Sequence, residues 1–180
     1  GVRGDTRGGI QFYDISDPRS PRLVKQIWDP NGLTSRMREI HAICFARIDG
    51  QTIMVIPSQK GIQTWDISDV NQPELLAQFE FVNGGDYTDT PWQLFWQHPN
   101  VYVATGGNGL HIIDVSDPSN PAYAAAPAGK TNPIPNGQLG GFNIGPIWAM
   151  GNRLVVSAME SGSGFSVLDI SKPTEPELLD

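Results

Sequence analysis

Four aspartates recur along this chain of 180 residues, Asp14, Asp66, Asp114 and Asp169, at intervals of 52, 48 and 55. Carboxylates placed in this way could ligate a cation or accept hydrogen bonds from backbone N–H groups. Their surroundings favour the second. Each aspartate has a glycine five residues before it (Gly9, Gly61, Gly109, Gly164) and a serine two residues after it. A proline follows seven residues on (Pro21, Pro73, Pro121, Pro176). An aspartate that ends an apolar run and enters such a turn accepts the N–H of its own turn. Carboxylates about fifty residues apart, one per repeat, also lie too far apart to share one ion. The four are therefore expected to be structural turn residues.

The other reactive side chains form no ligand set. A zinc site needs three or four converging ligands. His41, His98 and His111 show no His-x-x-x-His spacing, and Cys44 is a lone cysteine in the apolar run Ile43-Cys44-Phe45. A cysteine in that setting is expected to be a small buried hydrophobe. His41 stands apart because Pro91 and Gly145 occupy the corresponding places in other repeats. Asp86 and Asp89 could offer oxygens to calcium, yet no Asp-x-Asp-x-Asp-Gly loop surrounds them. Phosphate-binding and nucleophile-elbow motifs are absent. No catalytic residue, metal ligand or cofactor is assigned.

The elements that position these residues follow from the repeat. Ile40–Ile48, Thr52–Pro57, Gly61–Ile67 and Leu75–Phe81 are short, rich in β-branched and aromatic residues, and separated by turn formers such as Asp49-Gly50. Twenty glycines and fifteen prolines suit an all-β chain, and no segment sustains helical spacing of apolar residues. Four antiparallel strands per roughly fifty residues is the content of one β-propeller blade. The expected fold is an all-β propeller of four-stranded antiparallel blades, with about three and a half blades present. Residues 1–35 would end one blade, with 36–83 and 84–128 forming whole blades and 129–180 a blade with an incomplete outer strand. Such an array does not close a ring alone. The remaining blades are expected in the rest of a longer polypeptide, the alternative being partner chains.

The segments GIQFYDISDPRSP (9–21), GIQTWDISDVNQP (61–73), GLHIIDVSDPSNP (109–121) and GFSVLDISKPTEP (164–176) resemble LVIVD repeats. Val70 replaces the usual proline in the second copy, and Lys172 replaces the second aspartate in the fourth. Both departures fall in a turn. The resemblance implies a bacterial or archaeal β-propeller, often secreted or at the cell surface. It thus implies an extracytoplasmic address and an interaction or scaffold role within a larger protein.

Function is expected on the loops that precede the innermost strands, the least repeated segments, because a rigid scaffold carries its variable residues there. Candidate binding residues on this face are Arg36, Arg38, Glu39, His41, Asp86, Tyr87, Asp89 and Phe142. Trp92, Trp96 and Trp148 are expected to pack between blades. A net charge of −7 without a basic stripe argues against a nucleic-acid partner, and no run of apolar residues is long enough to span a membrane as a helix. The leading expectation is a non-catalytic module that binds a protein or glycan partner. An enzyme or metal-binding propeller with a channel-face site including His41 and Glu39 is the alternative.

Overall fold

A computed structural model describes residues 9–28, 40–58, 60–82, 91–159 and 163–179. The first sheet pairs β1 (Gly9–Asp14) with β2 (Arg22–Trp28). The second contains β3 (Cys44–Ile48), β4 (Gln51–Ser58), β5 (Gly61–Asp66) and β6 (Glu74–Glu80) in sequence order. The third contains β7 (Gln93–Gln97), β8 (Asn100–Ala104), β9 (Leu110–Asp114) and the short β10 (Ala122–Tyr123). The fourth contains β11 (Ile144–Met150), β12 (Arg153–Ala158), β13 (Phe165–Asp169) and β14 (Glu177–Leu179). Every pairing is antiparallel between consecutive strands. The molecule is thus an array of propeller blades.

Local chemistry accounts for the hairpins and motif turns. Between β3 and β4, Asp49 and Gly50 both take positive φ, 50° and 87°, as a two-residue hairpin of matching twist requires. In the four motif copies the aspartate Oδ1 accepts the N–H of the serine two residues on. The distances are 2.9 Å for Asp14, 2.8 Å for Asp66 and Asp114, and 2.7 Å for Asp169. The Ser68 and Ser171 hydroxyls, and after them these backbone bonds, lower the pKa of Asp66 and Asp169, whereas the backbone bond leads the fall of Asp14 to about 2, to which the Ser16 hydroxyl and Arg22 add. Asp17, Asp69 and Asp117 repeat the arrangement one step later. Lys172 cannot, but its turn still closes through Glu175 N–H to the Lys172 carbonyl at 2.9 Å. The backbone bond carries this turn, so the substitution is tolerated.

Three apolar clusters join the sheets. Ile10, Phe12 and Ile27 of the first sheet meet Met54, Ile56 and Trp65 of the second. Val55 and Ile62 meet Leu94, Val101, Val103 and Ile113 of the third. Tyr102, Leu110 and Ile112 meet Ile147, Ala149, Leu154, Val156 and Leu168 of the fourth. Two hydroxyls fasten one blade to the motif turn of the next: Thr64 donates to the Pro118 carbonyl at 2.6 Å, and Tyr102 to that of Pro173 at 3.1 Å.

The third sheet departs from the expected plan at its outer edge. Beyond β10 the chain leaves the ladder after Ala124 and rejoins it at Ile134, which exchanges backbone bonds with Leu110 at 2.8 and 3.0 Å. The boundary expected between residues 128 and 129 falls inside this excursion, so part of the supposed inter-blade loop edges the third sheet. Asn132 fills the gap with its side chain. Its amide accepts the Ile112 N–H at 3.1 Å and donates to the Ile112 carbonyl at 2.7 Å and the Ala124 carbonyl at 3.0 Å. A side-chain amide thus substitutes for a missing peptide group. The Ile112 carbonyl also accepts the Ala124 N–H at 3.0 Å. Asn132→Ala is therefore expected to leave two backbone groups unpaired, the Ile112 N–H and the Ala124 carbonyl, and cost about 2–3 kcal/mol. Urea unfolding checks this, and a loss under about 0.5 kcal/mol would show that water replaces the amide.

Candidate functional site

The innermost strands β3, β7 and β11 pack side by side. Where the chain leads into them, His41, Trp92, Gln93, Gly145, Pro146, Ala158 and Met159 line a pocket of 380 Å³. That volume lies within the range of small-ligand sites. The site therefore draws on three different sheets.

Each lining residue is placed by a local feature. β3 begins at Cys44, not at Ile40, so His41 lies in the lead-in segment rather than starting the strand. Its ring is exposed and leans on Trp92, with centroids 4.5 Å apart and an angle of 32° between planes. β11 bulges between Ile144 and Ile147, which turns Gly145 and Pro146 toward the pocket, a device common beside sites. The Ile147 N–H freed by this bulge donates to Gln93 Oε1 at 3.2 Å, tying β11 to β7 beneath the pocket. At Gly145 a β-carbon would stand 2.9 Å from Met159 Cβ, so glycine permits that close approach. The resulting wall is an aromatic pair, a thioether and a proline, with the Gln93 amide and His41 imidazole as polar groups.

Of the sequence candidates, the structure places His41 in this pocket and Phe142 elsewhere. Phe142 is half-buried and packs against the core between the third and fourth sheets, a place suited to stability. Arg36, Arg38, Glu39, Asp86, Tyr87 and Asp89 lie outside the described residues. Trp92 leads into β7 and stacks on His41; Trp96 packs against the cluster between the second and third sheets. Trp148 is 62% exposed, although its ring meets Phe95 of the neighbouring blade edge-on at 4.9 Å. Met159 and the Gly145-Pro146 bulge escaped sequence reasoning. Neither belongs to the repeat, and only the bulge had a signal, a proline within a strand-like run.

The remaining reactive groups are occupied. Cys44 donates to the Leu94 carbonyl at 3.3 Å, and burial pushes its thiol up to about 11. It is therefore a protonated thiol at neutral pH. His111 is fully buried, with Nδ1 3.0 Å from the Tyr123 hydroxyl and its ring stacked on Phe81 at 4.2 Å. Among the described residues no group of three His, Cys, Asp or Glu side chains could hold a metal ion. Nor is any helix among them long and apolar enough to cross a membrane.

The LVIVD repeat family matches residues 100–125 and 147–180 of the chain. No curated protein matches it. Among solved structures it is similar to the computationally designed Ika4 protein, at 17% identity and a TM-score of 0.51, covering 79% of this chain and 71% of that one. It is also similar to the computationally designed Ika8 protein, at 15% identity and a TM-score of 0.54. That likeness covers 89% of this chain but only 40% of Ika8. At these identities the likeness concerns fold alone.

Proposed function

We propose that this LVIVD-repeat propeller module is a non-catalytic interaction domain acting outside the cytoplasm, which seats a protein or glycan partner on the face around His41 and Trp92. The observation that carries the reading is the pocket formed at the lead-ins to three inner strands. An indole backed by an imidazole, beside Met159 and Pro146, suits a group with an apolar face and a few hydrogen-bonding edges. A sugar ring and an aliphatic side chain both meet that description. A shallow aromatic site of this kind supports recognition. The extracytoplasmic setting rests on the resemblance of the motif segments to LVIVD proteins that are secreted or surface-bound.

Glycan-array binding and pull-down with the intact chain test the reading. Trp92→Ala is expected to weaken capture more than about tenfold, as loss of an aromatic anchor does. His41→Ala should weaken it less, with circular dichroism confirming the sheet fold in both. Array signal identifies a glycan, and a specific captured polypeptide identifies a protein. Binding that both substitutions leave unchanged would overturn the assignment of the site.

A further inference from the structure

The pocket around His41 and Trp92 is selective in the hydrogen bonds it offers. Among the described residues, the side chains that line it are His41, Trp92, Gln93, Pro146, Ala158 and Met159. None of these is a carboxylate, a lysine or an arginine. The one amide is that of Gln93. Its Oε1 accepts the Ile147 N–H at 3.2 Å, which fixes the end of the amide that carries the oxygen. The Nε2 end has no partner among the described residues, so its two N–H donors are left for a ligand. Pro146 adds an apolar ring to the wall and no backbone N–H. The pocket is thus an apolar surface with a fixed pair of donors at one side.

That balance separates the two ligand classes. A sugar hydroxyl brings an O–H that needs an acceptor, and burying it unpaired is costly. Here no carboxylate stands ready to receive it, and the amide oxygen is already engaged. An X-Pro unit of a polypeptide brings the opposite balance. Its prolyl nitrogen carries no hydrogen, and the carbonyl before it is an acceptor. Its ring is a compact apolar block of the kind that aromatic-lined grooves take from extended proline-rich segments. Trp92, with the His41 ring leaning on it at 4.5 Å, supplies such a surface. The Met159 thioether adapts to the shape laid on it. A net charge of −7 disfavours an acidic segment, so neutral or basic flanks suit this chain.

Resting on the assignment of this face as the binding site, we propose that its ligand is an extended, proline-bearing segment of a partner polypeptide. The prolyl ring lies against Trp92 and Met159, and the carbonyl before it accepts from Gln93 Nε2.

Titration calorimetry on the intact chain tests this, with a capped, uncharged alanine–proline peptide as the probe. Saturable binding is expected. Replacing the prolines of the probe with alanine should raise the dissociation constant more than about tenfold, a comparison that leaves the protein untouched. Gln93→Glu keeps an oxygen for the Ile147 N–H but exchanges the two donors for a second acceptor. It should weaken the proline peptide more than about tenfold, with unchanged circular dichroism. A proline peptide that does not bind, or binds no better than its alanine counterpart, would overturn the proposal. So would binding that Gln93→Glu leaves unchanged. A neutral oligosaccharide that binds in its place and is lost in Trp92→Ala would overturn the peptide assignment while leaving the binding face intact. Absence of any ligand sensitive to Trp92→Ala would remove both.

Discussion

Replacing Gly61 with alanine is expected to destabilise the protein by more than about 3 kcal/mol or to prevent folding, among the largest losses of any single methyl addition here. A β-carbon at this position would overlap the Phe79 carbonyl oxygen and lie 3.1 Å from Glu80 Cα. Both are backbone atoms of the paired strand β6, so no rotamer change relieves the clash. The β5–β6 ladder would have to open. That ladder carries Ile62 into one inter-blade cluster and Trp65 into another, so local opening would damage two junctions. Gly129→Ala is the appropriate control: Gly129 has φ of 79° but nothing within 4 Å of an added β-carbon. Its cost is the left-handed conformation alone, about 1–2 kcal/mol. Urea unfolding of both variants separates the effects, and equal losses would refute the steric account.

This glycine shows what was legible in the sequence. The repeating Gly-x-x-x-x-Asp-[Ile/Val]-Ser pattern marked strands and turns because backbone geometry demands the same residue types in each copy. The blade organisation followed from that recurrence. Yet one spacing concealed different causes: Gly61 avoids a carbonyl, whereas Gly164 takes φ of 112° with nothing near its missing β-carbon. Lys172 shows the converse, since its turn closes through the backbone once the side-chain acceptor is gone.

The candidate pocket was less legible because it is assembled between repeats. His41 drew notice as an exception to the pattern, but its contact with Trp92 depends on how two blades lean together. Met159 follows the second strand of another blade, with no feature to distinguish it. Phe142 lies in an irregular loop that looked functional, while its ring turns into the core. Loop sequence records that a segment is free of the repeat, but not which way its side chains point. Asn132 escaped notice for a related reason, because an amide standing in for a peptide has no characteristic spacing.

Acidification is expected to weaken the fold first through His111. Desolvation by burial lowers its pKa from 6.5 to about 4, against a smaller raising influence of the Asn108 backbone. Nε2 has no hydrogen-bond partner, so a second ring proton would be poorly accommodated. The unfolded chain takes up that proton near pH 6.5, whereas the folded chain resists until about 4. The histidine's contribution is thus complete above pH 6.5 and is lost as pH falls toward 4, about 3 kcal/mol in all. The lowered carboxylates act in the same direction but later. Asp14, Asp66 and Asp169 protonate more readily unfolded than folded, so their contribution is lost as pH falls below the ordinary carboxylate range. The two windows are therefore separable. His111→Phe keeps a flat ring against Phe81 and removes the titration, at the cost of the bond to Tyr123. Urea midpoints between pH 7 and 4.5 should fall steeply for the wild type and stay nearly flat for the variant. At pH 4.5 the variant should equal or exceed the wild type in stability provided that it loses less than about 2.5 kcal/mol at pH 7. Parallel pH profiles would show that His111 is not the acid-sensitive element at this blade junction.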